Sequence, residues 1–167
     1  MAQLTFSMGL PANYATEQFV VSACNQLAHE WVMRWPQWNS HGLMILGEQG
    51  AGKTHLAHIW QRATQAVLVA KDSLAPPAAA WIVDDVDTWS DAAALFHLLN
   101  AAQLEKKPLL VTSALALAAL PITLPDVRSR LALLMQVPIA PPDDALLGTL
   151  IAKQFADRQM KVAADVI

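Results

Sequence analysis

The chain has 167 residues, 54% of them hydrophobic, a net charge of −3 and a single cysteine, Cys24. That length suits one α/β domain, or one domain with a fragment of a second, and the acidic balance excludes a global basic footprint for nucleic acid. Cys24 alone excludes an internal disulfide and fits a reducing cytoplasm, and the uncharged stretch 108–124 is too short and too broken by Pro121 for a membrane span.

Residues 1–13 read as a flexible tail, because Gly9, Pro11 and Asn13 oppose regular structure. Within it, Gln3-Leu4-Thr5-Phe6-Ser7-Met8 alternates apolar side chains after an amide. Such a segment can dock as an extended peptide in a pocketed groove, and it can equally be a plain leader. No basic region of a signal peptide precedes it. The spacing of Asn25, Leu27, Ala28, Trp31 and Val32 predicts an amphipathic helix over 15–34, entered through Phe19-Val20-Val21-Ser22 with Ser22 as its cap and ended by Trp35-Pro36. The tryptophans there read as packing residues. Only Arg34 interleaves with them, and a base-stacking groove needs positive charge.

The apolar run Leu43-Met44-Ile45-Leu46 predicts a buried strand, and 56–67 a helix. Between them stands Gly47-Glu48-Gln49-Gly50-Ala51-Gly52-Lys53-Thr54, followed by His55-Leu56. Two glycines around four residues, then Lys and Thr, form the phosphate-binding loop pattern. A strand, a glycine turn and a helix N-terminus make an anion site from backbone N–H groups and the helix dipole. Gly50 and Gly52 leave room for phosphates, Lys53 reaches the outer ones, and the Thr54 hydroxyl suits Mg²⁺. Gly47, Gln49, Gly50, Ala51, Gly52, Lys53, Thr54 and His55 are the predicted nucleotide contacts of this stretch. His55 and His58 have no third ligand and argue weakly for a metal.

Residues 66–70 predict the next strand and 71–77 a loop. Ala80-Trp81-Ile82-Val83-Asp84-Asp85-Val86-Asp87 is an apolar strand ending in carboxylates. Beside a phosphate loop, such a strand delivers an Asp to the Mg²⁺ shell. Asp84, the first acid, is the metal candidate; Asp85 would orient or deprotonate an attacking water. Residues 90–105 predict a helix capped by Ser90, and 109–113 a buried strand whose Thr112-Ser113 end lies at the ligand edge of such a sheet. Asp126 to Leu131 opens a short helix whose arginines, Arg128 and Arg130, face different sides. One could reach a phosphate on a neighbouring subunit; the competing reading is a surface salt bridge, for example to Asp126. Residues 136–139 predict a last strand, 141–144 the cap of a helix running to Met160, and 162–167 a further element. Five strands alternating with helices predict an α/β fold, a parallel five-stranded sheet sandwiched by helices.

Taken together these residues resemble the AAA+ P-loop NTPase domain, and within that family the DnaA/Hda group. The loop continuing as Lys53-Thr54-His55-Leu56 is typical of the group. Phe19-Val20-Val21-Ser22-Ala23-Cys24-Asn25 resembles the segment that wraps the adenine, which makes Val20 and Val21 nucleotide contacts. Val83-Asp84-Asp85 resembles the Walker B strand, with Asp in the second place. Leu124 to Leu131 resembles box VII, whose final arginine, here Arg130, is the finger. The leader resembles a sliding-clamp-binding motif carried by Gln3, Leu4, Phe6 and Met8.

The resemblance implies a core over 14–139 and only the start of the helical lid domain over 140–167. It implies ADP or ATP with Mg²⁺ as cofactors, the sliding clamp (the polymerase III beta subunit) and DnaA as partners, and DNA reached only indirectly through the clamp; a homodimer is also compatible with it. The implied function is cytoplasmic negative regulation of replication initiation, by promoting hydrolysis of DnaA-bound ATP. Catalysis would rest on Asp85 and Arg130. Two departures weaken intrinsic hydrolysis. The sensor 1 position falls at Ala114, where Ser113 or Thr112 would have to substitute, and the sensor 2 arginine of the family lies past Ile167. The alternatives are a helicase or transposase loader of the DnaC/IstB type, against which the low basic content speaks, and an interaction module whose site is structural.

Overall fold

The computed structural model of the protein describes residues 14–157. Five strands, β1 (Gly42–Leu46), β2 (Val67–Leu68), β3 (Trp81–Val83), β4 (Leu109–Ser113) and β5 (Met135–Pro138), form one parallel sheet in the order β2-β3-β4-β1-β5. Five helices join them: α1 (Gln26–Met33), α2 (Lys53–Thr64), α3 (Ala92–Leu104), α4 (Pro125–Ala132) and α5 (Asp144–Asp157).

A parallel sheet is covered on both faces, so its strands are apolar throughout and neighbouring residues serve different cores. Leu43, Ile45, Ile82 and Leu110 pack with α1 and α2 around the buried Trp60, on which Trp38 stacks at 5.2 Å. Met44, Trp81, Val83, Leu109 and Val111 pack with α3 and α4 on the other side. The order also sets β4 between β1 and β3, with Leu46 level with Ser113 and Val83 level with Val111. The loop after β1 and the acids after β3 therefore flank the end of β4.

Several boundaries differ from the sequence expectation, each for a local reason. The helix over 15–34 is only α1, preceded by a 3₁₀ turn at Thr16–Gln18. The Asn25 side chain accepts from the Ser22 N–H and donates to the Val20 carbonyl, both at 2.9 Å, and holds 20–25 in an irregular turn. Ser22 makes no cap; its Oγ lies 3.0 Å from Cys24 Sγ. Helix α2 begins at Lys53, in the loop itself, and ends at Thr64, where Gln65 turns left-handed (φ 56°). Strand β2 is only two residues of edge, and β3 stops at Val83, followed by a 3₁₀ turn at Val86–Thr88. Asp91, not Ser90, caps α3, accepting from Ala93 and Ala94 N–H at 2.9 Å. Ser90 instead bonds Asp72. Asp143 caps the start of α5 through the Leu146 N–H. The leader residues Gln3, Leu4, Phe6 and Met8, the predicted helix end at Met160 and the element over 162–167 lie outside the described residues. Among the described residues no helix is long and apolar enough to cross a membrane.

Candidate nucleotide site

Strand β1 delivers the loop 47–52 to the C-terminal edge of the sheet. The loop is rooted on both sides: the Gly47 N–H donates to the Ser113 carbonyl at 3.1 Å and the Ile139 N–H to the Leu46 carbonyl at 2.6 Å. Gly50 (φ 84°) and Gly52 (φ 91°) take left-handed backbone that side chains disfavour. Among the described residues nothing stands within 4 Å of where a Cβ on Gly50 would be, whereas one on Gly52 would meet the Phe19 ring at 3.1 Å. The first N–H groups of α2 have no intrahelical partner and converge with the helix dipole on this loop.

Lys53 is 5% exposed and folds back over its own loop, donating to the Glu48 carbonyl at 3.1 Å. Its ammonium stands 4.0 Å from Asp85 Oδ1. Among the described residues, two oxygens for three N–H donors leave it short of partners. One residue on, the Thr54 hydroxyl donates to Asp84 Oδ2 at 3.0 Å. The other oxygen of Asp84 accepts from the Thr112 hydroxyl at 2.6 Å, and Thr112 Oγ1 accepts from the Asp85 N–H at 2.8 Å. Asp85 itself takes a left-handed backbone (φ 46°). Burial pushes its carboxyl above its ordinary value; the Asp84 charge adds to the push, Lys53 opposes it, and Asp87 adds a further part. A carboxylate so raised is a better proton acceptor near neutral pH than a free one.

The donor set fits Mg²⁺. A hydroxyl and a carboxylate oxygen 3.0 Å apart are hard ligands at the spacing of neighbours around an octahedral ion of about 2.1 Å radius of coordination. Among the described residues no three His, Cys, Asp or Glu side chains gather as a metal site of their own. An ion held here would complete its shell with water and phosphate.

Beside the loop opens a cavity of about 450 Å³. Of the predicted contacts, Val20, Gln49, Gly50, Ala51, Gly52 and His55 line it. Gly47, Lys53 and Thr54 do not; Gly47 packs against Ile139 and Ala51, and the two side chains turn toward the acids. Val21 points away and is exposed, because the turn held by Asn25 presents only Val20 inward. His55 Nε2 lies 2.9 Å from the Ala15 carbonyl and its ring meets Phe19 edge-on at 5.2 Å. Burial pushes this imidazole below its ordinary value, against the Ala15 bond that raises it, so it brings little positive charge to the loop at neutral pH.

Sequence reasoning missed three parts of this site. Asn25, 4% exposed, shapes the wall from which Val20 projects, although it looked like a member of a helix stripe. Pro141 and Pro142, predicted as a helix cap, and Leu146 and Leu150 of α5 close the far wall. Thr112 bonds both acid positions, whereas the strand pattern offered it only as part of a ligand edge and the resemblance only as a substitute sensor. Ser113 is turned into a local bend, donating to the Leu115 carbonyl, and the Ala114 N–H donates to Asp87 Oδ1.

Arg130 lies away from this cluster, across the sheet on α4. It donates to Asn100 Oδ1 at 2.9 Å and sits 4.7 Å over the Phe96 ring. It reaches only the backbone carbonyl of Asp126, at 3.4 Å, so the salt bridge anticipated there is not formed. Its Nε is buried without a partner among the described residues. Arg128 points the other way and donates to the carbonyls of Leu117, Ala118, Leu120 and Ile122.

No protein-family model and no curated protein matches the chain. Solved structures do. AMPPCP-bound DnaA from Aquifex aeolicus is similar at 20% identity with a TM-score of 0.75, over 92% of this chain and 58% of that one. Domain III of the Thermotoga maritima replication initiation protein DnaA is similar at 19% identity and 0.74, over 94% and 80%. DnaI is similar at 19% identity and 0.52, over 70% and 79%. This chain thus spans less than two thirds of the Aquifex DnaA structure. It has the α/β fold of a DnaA AAA+ domain, a five-stranded parallel sheet between helices.

Proposed function

We propose that the chain binds ADP or ATP with Mg²⁺ at the loop 47–54 and acts as an Hda-type regulator, promoting hydrolysis of ATP held by DnaA. The observation that carries the nucleotide reading is the convergence of Lys53, Thr54, Asp84 and Asp85 at one sheet edge, with Lys53 short of partners. Thr54 and Asp84 would hold Mg²⁺, which supplies charge neutralisation between phosphate oxygens. Lys53 would exchange the Glu48 carbonyl for a phosphate oxygen, and Val20 and the α5 leucines would enclose the base. AMPPCP in the Aquifex DnaA structure supports testing a triphosphate analogue beside ADP.

The regulatory part rests on the resemblance of residues 124–131 and of the leader. It gains support from Arg130, whose guanidinium is held by an amide and a ring rather than a carboxylate and so keeps its charge available. A finger in trans needs such a cation, rigidly placed but not neutralised. Intrinsic turnover is expected to be slow, because Ala114 offers no polar side chain for the sensor 1 role.

The test is phosphate release from ATP–DnaA in the presence of DNA-loaded sliding clamp and the ADP-bound chain. Acceleration that disappears with Gln3→Ala/Leu4→Ala supports the reading. ADP binding without any acceleration overturns it. The DnaI likeness favours a second reading, a helicase loader, which predicts helicase binding indifferent to Gln3 and Leu4.

A further inference from the structure

We propose that Thr112 is the positioning residue of the site: its one hydroxyl aligns the Asp84 carboxylate for Mg²⁺ and fixes the backbone of Asp85. This rests on the nucleotide reading above and extends it to a residue that would touch neither nucleotide nor metal.

Thr112 is fully buried on β4, the strand between the loop strand and the acid strand. The direction of its bonds follows from the donors available. The Asp85 N–H can only donate, so Thr112 Oγ1 accepts it, at 2.8 Å. The single hydroxyl proton is then free for Asp84 Oδ1, at 2.6 Å. Asp84 Oδ1 is thereby taken, and Oδ2 is left facing the Thr54 hydroxyl at 3.0 Å. The chain Thr112–Asp84–Thr54 thus spans from β4 across β3 to the start of α2 and presets both expected metal ligands.

The same hydroxyl acts on Asp85. That residue has φ 46°, a conformation that costs free energy in a non-glycine residue unless its surroundings hold it. Its N–H is held by Thr112, and its carbonyl accepts from the Thr88 N–H at 2.9 Å and the Thr88 hydroxyl at 2.8 Å. Fixed at both ends, the residue turns its carboxylate toward Lys53. Partners standing behind metal ligands set ligand orientation, and losing one typically costs about 10–100-fold in metal affinity.

Two measurements on Thr112→Val and Thr112→Ser test this. The first is ADP affinity with and without Mg²⁺. Thr112→Val is expected to keep the Mg²⁺-free affinity and to lose about tenfold of the gain that Mg²⁺ gives, with Thr112→Ser restoring it. The second is amide hydrogen exchange of Asp85 in the nucleotide-free protein, which should speed up about tenfold or more in Thr112→Val and stay slow in Thr112→Ser. An undiminished Mg²⁺ gain in Thr112→Val overturns the alignment of Asp84. Unchanged Asp85 exchange in that variant overturns the hold on its backbone. A general packing role would instead weaken binding equally with and without Mg²⁺ and lower the melting temperature in both variants. If the wild-type chain binds no nucleotide, the nucleotide reading falls with the metal role, while the exchange measurement still decides the hold on Asp85.

Discussion

The two faces of the sheet treat their cations in opposite ways. On the α2 side Lys53 is almost fully buried yet has one carbonyl at 3.1 Å and one carboxylate at 4.0 Å. On the α4 side Arg128 spreads its guanidinium over four carbonyls of the stretch 117–122. A guanidinium whose two terminal nitrogens are spread over carbonyls is part of the architecture; a buried ammonium with donors to spare is held ready for something that arrives. Arg130 falls between them, bonded to one amide and, at 3.4 Å, one carbonyl, set over one ring, with a buried Nε left over among the described residues.

The largest expected effect separates Arg130 from Arg128. On the proposed regulatory reading, Arg130→Ala should reduce the acceleration of DnaA-bound ATP hydrolysis by about 10³-fold, the scale of a lost finger, while leaving ADP binding by the chain itself unchanged. A loss of ADP binding in that variant, read by titration calorimetry, would show that the residue only supports the fold. Next in size is Lys53→Ala. Removing a charge-assisted contact to phosphate should weaken ADP about 100-fold. Urea unfolding should show stability within about 1 kcal/mol of the parent, because the lysine leaves few partners behind. Arg128→Ala should do the reverse. Four carbonyls lose their donor, so unfolding should be easier by about 3 kcal/mol with nucleotide affinity intact in the folded fraction. If both variants lose stability alike, the contrast between the faces fails.

Much of this arrangement was legible in the chain because it is written in contiguous patterns. The strand, glycine loop and Lys53-Thr54 sit together, and the apolar run into Asp84 announces a buried strand with an acid end. The parallel sheet followed from the alternation. What could not be read depends on contacts between distant segments or on side chains competing with backbone. Thr112 meets Asp84 across 28 positions of sequence, through a strand order that no local pattern displays. The turn over 20–25 defeated its helical periodicity because Asn25 satisfies Ser22 and Val20 in a way a helix would not. Val21, a nucleotide contact by the resemblance, is exposed there, and only Val20 lines the cavity. Ser90 was given a cap that Asp91 makes, since both are good caps and only Asp72, far off in sequence, decides between them.

That Asp72 contact gives the smallest and most specific prediction, on the face that also holds Arg128. Asp72 accepts from the Ser90 and Asp91 N–H groups at 2.9 and 2.8 Å and from the Ser90 hydroxyl at 2.5 Å. The Ser90 hydroxyl bond is the main cause holding its carboxyl below the ordinary value of 3.8, with the Asp91 and Ser90 N–H bonds adding to it. A depressed carboxyl contributes stability that is complete above its unfolded value and disappears as pH falls through its folded one. The residue has φ 55°, which Asn tolerates well, so Asp72→Asn removes the charge without new backbone strain. The melting temperature of Asp72→Asn should lie slightly below that of the parent at neutral pH, and the two should converge as pH falls through the lowered folded value of the carboxyl. A gap that persists in acid would assign the contact to hydrogen bonding alone, and the charges on this face would then all be matters of shape.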